Sequence, residues 1–166
     1  MSVPAIRVGQ GLDLHPYSDD PERPLVLGGV TFPGERGLAG HSDADVVAHA
    51  VTDALLGAAG LGDIGQHFPD TDPALAGADS LELLRRAVAD VRAAGWAPAN
   101  VDCTVVLDRP KLAPVKAELE RNLSEAVGAP VTVKGKRSEG IGALGRGEGA
   151  LCLAVALVVA SSEEAP

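Results

Sequence analysis

An aspartate and two histidines of this chain are of the types and spacing that could bind one divalent metal. Asp13 and His15 lie two residues apart at the end of a strand-like run, 6–12. Because strand side chains alternate between faces, both point the same way. His49 lies in a helix-like run, 43–59. Two strand ligands and one helix ligand leave a fourth position for water or substrate, as in catalytic zinc sites. The residues at intervals of four on that helix, which share one face, are Asp45, His49 and Asp53.

Each of these pieces alone also has a structural interpretation. An Asp-x-His pair is common without a metal, and a histidine within a helix is often packed or hydrogen-bonded. The other motifs of the chain therefore have to decide between a metal site and an ordinary polar cluster.

The composition predicts one domain with an aliphatic core. The chain has 166 residues, enough to bury a sizeable core, and 46% of them are hydrophobic. Only 2% are aromatic, so Ala, Val, Leu and Ile must fill the core, and an oligomer interface would help to complete it. We predict a single domain over 1–160 and a flexible tail over 161–166.

The charge of the chain disfavours nucleic acid as a partner. There are 14 basic and 23 acidic residues, a net charge of −9, whereas nucleic acids bind basic surfaces. An acidic protein can still bind a phosphorylated small molecule if local cations, backbone N–H groups or metal ions offset its field. The longest apolar run, 150–160, is too short to span a bilayer, and the N-terminus lacks a signal-peptide pattern. We therefore predict a cytoplasmic protein that binds neither nucleic acid nor membrane.

The order of helix and strand patterns predicts an α+β fold. The order is β-ββ-α-α-β-α-β-β, which indicates an α/β sandwich, a mixed β-sheet with helices packed on one face. The predicted strands are 3–12, a hairpin over 24–33, 101–107, 130–134 and 150–160. The predicted helices are 43–59, 79–94 and 112–127, and 60–78 is predicted to be a loop.

Two interpretations are open for the residues before the first helix. Ser42 or Asp43 can be the N-cap of that helix. Alternatively, His41 and Ser42 can donate hydrogen bonds to a phosphate near the helix N-terminus.

Two interpretations are also possible for the loop over 62–72. Its aspartates are either solvated turn residues or acceptors for sugar hydroxyls, with Ile64 and Phe68 as an apolar wall. The acidic residues concerned are Asp63, Asp70 and Asp72.

The segment 134–140 concentrates cations in an otherwise acidic chain. Lys136 and Arg137 precede Glu139, and a glycine-rich stretch that contains Arg146 follows. This is the best local site for an anion, and Glu139 could hold Mg²⁺ that shares oxygens with a diphosphate. The alternative is a charged surface hairpin.

Together, these motifs resemble the 2-C-methyl-D-erythritol 2,4-cyclodiphosphate synthase family of the non-mevalonate isoprenoid pathway. The combination is far more specific than any one motif, and it follows the family's order over nearly the whole chain. The matching stretches are 11–15, 40–45, 50–57, 62–65, 68–73, 109–111 and 145–149.

The resemblance implies an enzyme that uses two metals. Asp13, His15 and His49 match the ligands of one Zn²⁺ per subunit, which another divalent metal could replace. Glu139 matches the carboxylate that holds Mg²⁺ or Mn²⁺ with the substrate diphosphate. In this family, the 2-phosphate of 4-diphosphocytidyl-2-C-methyl-D-erythritol 2-phosphate attacks the β-phosphorus of the same molecule. CMP leaves and the cyclic diphosphate forms, so the family resemblance predicts a phosphorus–oxygen lyase.

The resemblance also implies a homotrimer with active sites between subunits. His41 matches a residue that stabilises the transition state, segment 63–72 matches a methylerythritol pocket, and segment 107–113 matches the part that binds cytidine. Beyond Asp13 and His15, the implied substrate-binding residues are His41, Ser42, Asp63, Ile64, Gly65, Phe68, Pro69, Asp70, Thr71, Asp72, Asp108, Arg109, Pro110, Lys111, Lys136, Arg137, Ser138, Glu139 and Arg146.

One departure from the family pattern lies beside the magnesium carboxylate. Many members have a Thr-Thr-Thr-Glu-like run, in which one threonine helps to stabilise the transition state. Here Arg137 stands in that threonine's place. Either its guanidinium neutralises phosphate charge, or Ser138 supplies the hydroxyl. The catalytic residues that follow from the resemblance are His41, Arg137 and Glu139.

Two other functions share some of these features. A metal-dependent phosphohydrolase would use the same metal ligands with a positioned water, and a binding module would use the metal structurally. Three convincing ligands rather than four favour an open, reactive site, and the cyclase is therefore the leading hypothesis.

Overall fold

The computed structural model describes residues 5–161, which form a four-stranded sheet, a small hairpin and a layer of helices. The strands are β1 (Ile6–Pro16), β2 (Leu25–Leu27), β3 (Val30–Phe32), β4 (Trp96–Val106), β5 (Val131–Lys136) and β6 (Gly149–Ala160). The helices are α1 (Val46–Ala59), α2 (Ile64–His67), α3 (Ser80–Ala93), α4 (Lys116–Val127) and α5 (Gly142–Gly145). Two 3₁₀ turns span Pro73–Leu75 and Ala113–Val115.

The sheet is mixed, which confirms the prediction from the element order. Its strand order is β1-β6-β4-β5, in which β1 and β4 each pair antiparallel with β6, and β4 pairs parallel with β5. A parallel pair needs a crossover connection, and α4 supplies it between β4 and β5. β1 and β5 are consequently the two edges of the sheet.

Two glycines of β1 allow α1 to lie close against the sheet. A Cβ atom on Gly9 would lie 2.0 Å from the backbone oxygen of Ala54, and one on Gly11 would lie 2.0 Å from that of Ala50. Any side chain at either position would push the helix away. These glycines therefore bring α1 within reach of the residues that follow on the same face of β1.

The core lies between this sheet face and the helices, and it is aliphatic, as the composition predicts. α1 packs against β1 and β6, α3 packs against α1, and α4 packs against β5. Cys103 and Cys152 are buried in the same core as free thiols. The largest fully buried side chains include Leu25, Leu27, Leu38, Leu55, Leu56, Leu84, Leu119 and Leu123.

The opposite face of the sheet is apolar over β1 and β6, and it is exposed there in the single chain. Val8 is 66% exposed and Ile6 is 58% exposed, and the register places these β1 residues beside apolar residues of β6. A contiguous exposed apolar surface of this kind is typical of an interaction site. This surface, called here the open sheet face, consists of Ile6, Val8, Leu12, Leu14, Leu151, Leu153, Val155, Leu157 and Val159.

The start of α1 differs from the prediction. The helix begins at Val46 rather than 43, and its N-cap is Asp45 instead of Ser42 or Asp43. The carboxylate of Asp45 accepts the backbone N–H groups of Val47 and Ala48, each of which would otherwise lack a partner.

Other boundaries differ for local reasons. β4 begins at Trp96 although Pro98 and Asn100 are typical of loops, because a register shift between these two residues lets the strand continue. The prediction of an unstructured loop over 60–78 is wrong in part, since α2 and a 3₁₀ turn lie within it.

Some predictions concern residues that the structure leaves out. Residues 3 and 4 of the first predicted strand, and residues 162–166 of the predicted tail, lie outside the described residues. The division into a domain over 1–160 and a flexible tail stays a prediction. Over 5–161, no helix has both the length and the apolar character needed to cross a membrane.

Candidate active site

Asp13, His15 and His49 come together where α1 packs on β1. Oδ2 of Asp13 is 2.9 Å from Nε2 of His15 and 3.1 Å from Nδ1 of His49, and these two ring nitrogens are 3.1 Å apart. Ligands about 2.0–2.1 Å from a tetrahedral zinc lie about 3.3 Å from one another. The three atoms therefore have nearly the spacing that such an ion requires, and the predicted cluster could hold a divalent metal.

Hydrogen bonds behind the two histidines orient their rings toward one point. Nδ1 of His15 lies 2.8 Å from the backbone oxygen of Ala39. A carbonyl can only accept, so this nitrogen carries the hydrogen and Nε2 is the one that can bind a metal. Nε2 of His49 lies 2.8 Å from Oγ of Ser80, so Nδ1 faces Asp13. Metal-binding histidines usually have such a partner on the second nitrogen, and the donor set therefore fits zinc.

The electrostatics of the cluster favour charged forms. Burial raises the pKa of Asp13, but the close contacts of its carboxylate with the rings of His15 and His49 outweigh burial and hold that pKa well below its usual range. Burial lowers the pKa of His15, but the hydrogen bond to Asp13 outweighs it and raises the pKa above its ordinary value. An anion between two rings is thus stabilised, and a cation at the same point would replace the proton on His15.

A cavity of about 410 Å³ opens beside these ligands. It brings His41 and Ser42 together with part of the 62–72 loop, and two leucines outside the predicted set complete it. Besides the three ligands, the lining residues are Gly40, His41, Ser42, Ile64, Gly65, Phe68, Pro69, Asp70, Leu75 and Leu83.

Two aspartates of the loop are used as helix caps. The carboxylate of Asp63 accepts from the backbone and side-chain nitrogens of Gln66, and that of Asp72 accepts from the backbone of Ala74. Nε2 of His41 also lies 2.7 Å from the backbone oxygen of Asp72. These bonds support the structural interpretation of the two aspartates. The contact of these aspartates with sugar hydroxyls stays a prediction, and so does the contact of Thr71 with substrate.

Asp53 positions the loop from α1, a role that the sequence did not reveal. Its carboxylate accepts the backbone N–H of Ile64 at 2.7 Å. Burial raises the pKa of Asp53 despite this hydrogen bond. The intervals of four along α1 place Asp53 near His49, but spacing alone gives no sign of a partner eleven residues away in the chain.

A second cavity, of about 460 Å³, lies at the ends of β4 and β5. Its floor is apolar and several cations surround it. Lys116 is paired with Glu120, and Lys134 with Asp102. The lining residues are Leu107, Asp108, Pro110, Lys111, Leu112, Ala113, Lys116, Val133, Lys134, Gly135, Lys136 and Arg137. The predicted cytidine and phosphate segments therefore form one cavity.

Asp108 and Ser138 join these two segments. The backbone N–H of Ser138 donates to Oδ1 of Asp108 at 3.0 Å, and the Ser138 hydroxyl donates to Oδ2 at 2.6 Å. These hydrogen bonds lower the pKa of Asp108. Ser138 Oγ also accepts the backbone N–H of Gly140, so the hydroxyl of Ser138 is used to close the loop.

Glu139 and Arg146 are both exposed. Glu139 has φ 53°, in the left-handed region that residues other than glycine rarely adopt. Arg146 donates to Glu148 through Nε at 2.6 Å. The magnesium role of Glu139 and the substrate contact of Arg146 stay predictions.

The two cavities lie at opposite edges of the four-stranded sheet. Asp13 and His15 lie on β1, whereas Lys136 lies on β5, the other edge. Three strand spacings of about 4.8 Å separate the edges, roughly 14 Å in all. The structure therefore gathers most of the predicted residues into two groups and does not bring the two groups into one cavity. The predicted residues that line neither cavity are Asp63, Thr71, Asp72, Arg109, Ser138, Glu139 and Arg146.

Comparison with known proteins shows the family of the chain. Residues 6–159 match the model of the YgbB family, and the chain therefore belongs to the YgbB family. The chain is 58% identical, over 98% of its length and 100% of the relative, to the 2-C-methyl-D-erythritol 2,4-cyclodiphosphate synthase of Bordetella petrii.

Solved structures have the same fold. IspF of Plasmodium falciparum, in a complex with CDP, matches 97% of this chain and 100% of its own, with 32% identity and a TM-score of 0.81. The bifunctional IspDF of Campylobacter jejuni matches 95% of this chain with 39% identity and a TM-score of 0.89. The chain spans 43% of that bifunctional protein.

Proposed function

We propose that the chain converts 4-diphosphocytidyl-2-C-methyl-D-erythritol 2-phosphate to 2-C-methyl-D-erythritol 2,4-cyclodiphosphate and CMP. The observation that carries this proposal is the convergence of Asp13, His15 and His49 beside an open cavity. The chain is also 58% identical to the 2-C-methyl-D-erythritol 2,4-cyclodiphosphate synthase of Bordetella petrii. The reaction makes the protein a phosphorus–oxygen lyase.

The reaction needs charge neutralisation and alignment more than proton removal. An oxygen of the substrate's 2-phosphate forms a bond to the β-phosphorus while the bond from that phosphorus to the bridging oxygen of CMP breaks. CMP leaves with the electron pair. Because the nucleophile is already an anion, no strong general base is required, and charge neutralisation and in-line positioning supply the acceleration.

Two metal ions are part of the proposal. Asp13, His15 and His49 would hold Zn²⁺, and Glu139 would hold Mg²⁺ or Mn²⁺ with the diphosphate. When bound, these ions offset the phosphate charge and polarise its P–O bonds. The three zinc ligands leave a coordination position open, which favours a reactive site over a structural one.

The residues around the first cavity would hold the methylerythritol end of the substrate. His41 and Ser42 would face its phosphates, with His41 stabilising charge in the transition state. Ile64 and Phe68 supply the apolar wall. Arg86 lies 5.0 Å from the centre of the Phe68 ring, and this cation–π contact supports the wall from outside.

The second cavity would hold the cytidine and the diphosphate. Its apolar floor suits the base, and the cations at its rim suit the phosphates. Because the Ser138 hydroxyl is bonded to Asp108, Arg137 is the better candidate to replace the missing threonine. The CDP complex of the Plasmodium falciparum relative supports a cytidine diphosphate as ligand.

A homotrimer is proposed because the two cavities of a single chain lie apart from each other. The first cavity lies beside one sheet edge and the second beside the other, so the cavities of neighbouring copies would combine into one site. The open sheet face gives each copy an apolar surface to bury against the others. An aromatic-poor chain would gain core volume by this association.

Phosphorus NMR tests the proposal most directly. The chain is mixed with the proposed substrate, Zn²⁺ and Mg²⁺, and His49→Ala is the control. CMP together with two coupled signals of a cyclic diphosphate would support the cyclase. Linear phosphate products would indicate the phosphohydrolase, and unchanged substrate with bound zinc would indicate a binding module.

A further inference from the structure

A buried hydrogen-bond chain lies behind His49 and ends at a carboxylate. Nε2 of His49 is 2.8 Å from Oγ of Ser80, and this hydroxyl is hydrogen-bonded to Oδ1 of Asp43. Ser80 is 1% exposed and His49 is 9% exposed. These hydrogen bonds link α1, α3 and the segment before α1.

The direction of these bonds follows from the donors around Asp43. Its Oδ1 accepts the backbone N–H of Asp45 at 3.1 Å, and its Oδ2 accepts the backbone N–H of Ser80 at 3.1 Å. A carboxylate only accepts, so the hydroxyl hydrogen of Ser80 must point to Asp43. Oγ of Ser80 then accepts, and Nε2 of His49 must donate to it.

This direction determines which nitrogen of His49 can bind a metal. With the hydrogen on Nε2, the lone pair is on Nδ1, and Nδ1 is the atom 3.1 Å from both Asp13 and His15. The opposite tautomer would place an N–H at the metal position and leave two acceptors facing each other at Ser80.

We propose that Ser80 and Asp43 are positioning residues that hold His49 in the Nε2–H tautomer and aim Nδ1 at the metal position. Neither residue was predicted to be functional on sequence grounds beyond the possible capping by Asp43. The inference rests on the proposed function for the identity of the metal, but the tautomer itself does not depend on it.

The start of α3 does not require the Ser80 hydroxyl. Asp79 is the N-cap of that helix, and its carboxylate accepts the backbone N–H of Leu81 at 2.8 Å. Ser42 is a weaker second partner for His49, since its Oγ lies 3.1 Å from Nε2 and already accepts the backbone N–H of Ala44. The Ser80 hydroxyl is therefore the main acceptor for Nε2–H.

The test compares Ser80→Ala with Asp79→Ala. Both variants change the first turn of α3, but only Ser80→Ala removes the acceptor of His49. Zinc affinity is measured by competition with a chelator, and the tautomer of His49 by ¹⁵N NMR of metal-free protein at a pH where the ring is neutral. We expect Ser80→Ala to bind zinc about 10–100-fold more weakly and to populate Nδ1–H, while Asp79→Ala keeps the wild-type affinity and tautomer.

Two results would overturn the inference. One is a Ser80→Ala protein with the wild-type tautomer and unchanged zinc affinity. The other is a metal-free wild-type protein in which His49 is mainly Nδ1–H. A wild-type protein with the Nε2–H tautomer but without zinc binding would support the hydrogen-bond chain and contradict the metal of the proposed function.

Discussion

The Ser138 hydroxyl donates a 2.6 Å hydrogen bond to Oδ2 of Asp108, across the gap between the segments after β4 and after β5. A second bond joins the Ser138 backbone N–H to the same carboxylate. Because both predicted substrate segments depend on this contact, the shape of the second cavity depends on it too.

Single and double alanine variants of this pair should therefore be non-additive. We expect Asp108→Ala and Ser138→Ala each to lower kcat/KM, and the double variant to be no worse than the poorer single, with a coupling free energy of about 1–2 kcal/mol. Steady-state kinetics of the four proteins measure the coupling. Strictly additive losses would mean that the two side chains act separately, for instance by each contacting substrate.

Replacing Arg137 should affect chemistry more than binding. If its guanidinium neutralises charge that develops in the transition state, Arg137→Ala should lower kcat about 100-fold, as the loss of one stabilising donor does. Lys134→Ala is the matched control, because this cation of the same cavity is already paired with Asp102; we expect a change of less than about threefold. Arg137→Thr should recover part of the activity, and equal losses in Arg137→Ala and Lys134→Ala would contradict a catalytic role.

The two proposed metal sites should be separable by mutation. His49→Ala removes one of three ligands and should lose zinc and turnover together. Glu139→Ala should keep zinc, since Glu139 lies outside the cluster of Asp13, His15 and His49, and should lose dependence on Mg²⁺. Zinc content is measured by elemental analysis, and rates are measured over a range of Mg²⁺ concentrations. Turnover by metal-free His49→Ala would exclude the proposed mechanism.

Much of the metal cluster could be predicted from sequence because its geometry is local. A two-residue interval on a strand places Asp13 and His15 on one face, and the helix that follows has only one histidine to offer. The partners behind them could not be predicted in this way. Ser80 and Asp43 are 37 residues apart in the chain, and only the packing of α3 against α1 brings them together.

The second cavity shows a different limit of sequence-based prediction. The cations of 134–140 were apparent, but the pairing of Lys134 with Asp102 depends on the register between β4 and β5. The hydrogen bond from Ser138 to Asp108 likewise depends on the parallel pairing, which brings the ends of β4 and β5 side by side. A linear pattern gives residue types, whereas strand order decides which of them remain available to a ligand.

A charge on the open sheet face should disrupt the proposed trimer. Leu12 lies at the middle of β1 on that face, half exposed in the single chain. Leu12→Glu would bury a carboxylate without a partner on assembly, so we expect a monomer by light scattering and a large loss of activity. Thr31→Glu, at an exposed position of β3, is the matched control and should leave both unchanged. An oligomer of unchanged mass in Leu12→Glu would contradict this interface.

The pH dependence of metal-free stability should reveal the Asp13–His15 pair. His15 has a raised pKa because its hydrogen bond to Asp13 outweighs burial, so the protonated ring contributes stability below its ordinary pKa of about 6.5. That contribution is lost as pH rises through the raised pKa. Asp13 has a lowered pKa, so its contribution is present above about pH 4 and is lost only as pH falls through the lowered value.

The free energy of unfolding of wild type minus that of His15→Gln should therefore be largest between about pH 4 and 6.5 and decline above. Urea unfolding in the presence of a chelator, at several pH values, measures this difference. Zinc-saturated protein provides the control: zinc replaces the proton on His15, so its stabilising effect should increase with pH over the range in which the metal-free difference falls. A metal-free difference that stays constant from pH 5 to 9 would mean that His15 and Asp13 do not share a proton in the folded chain.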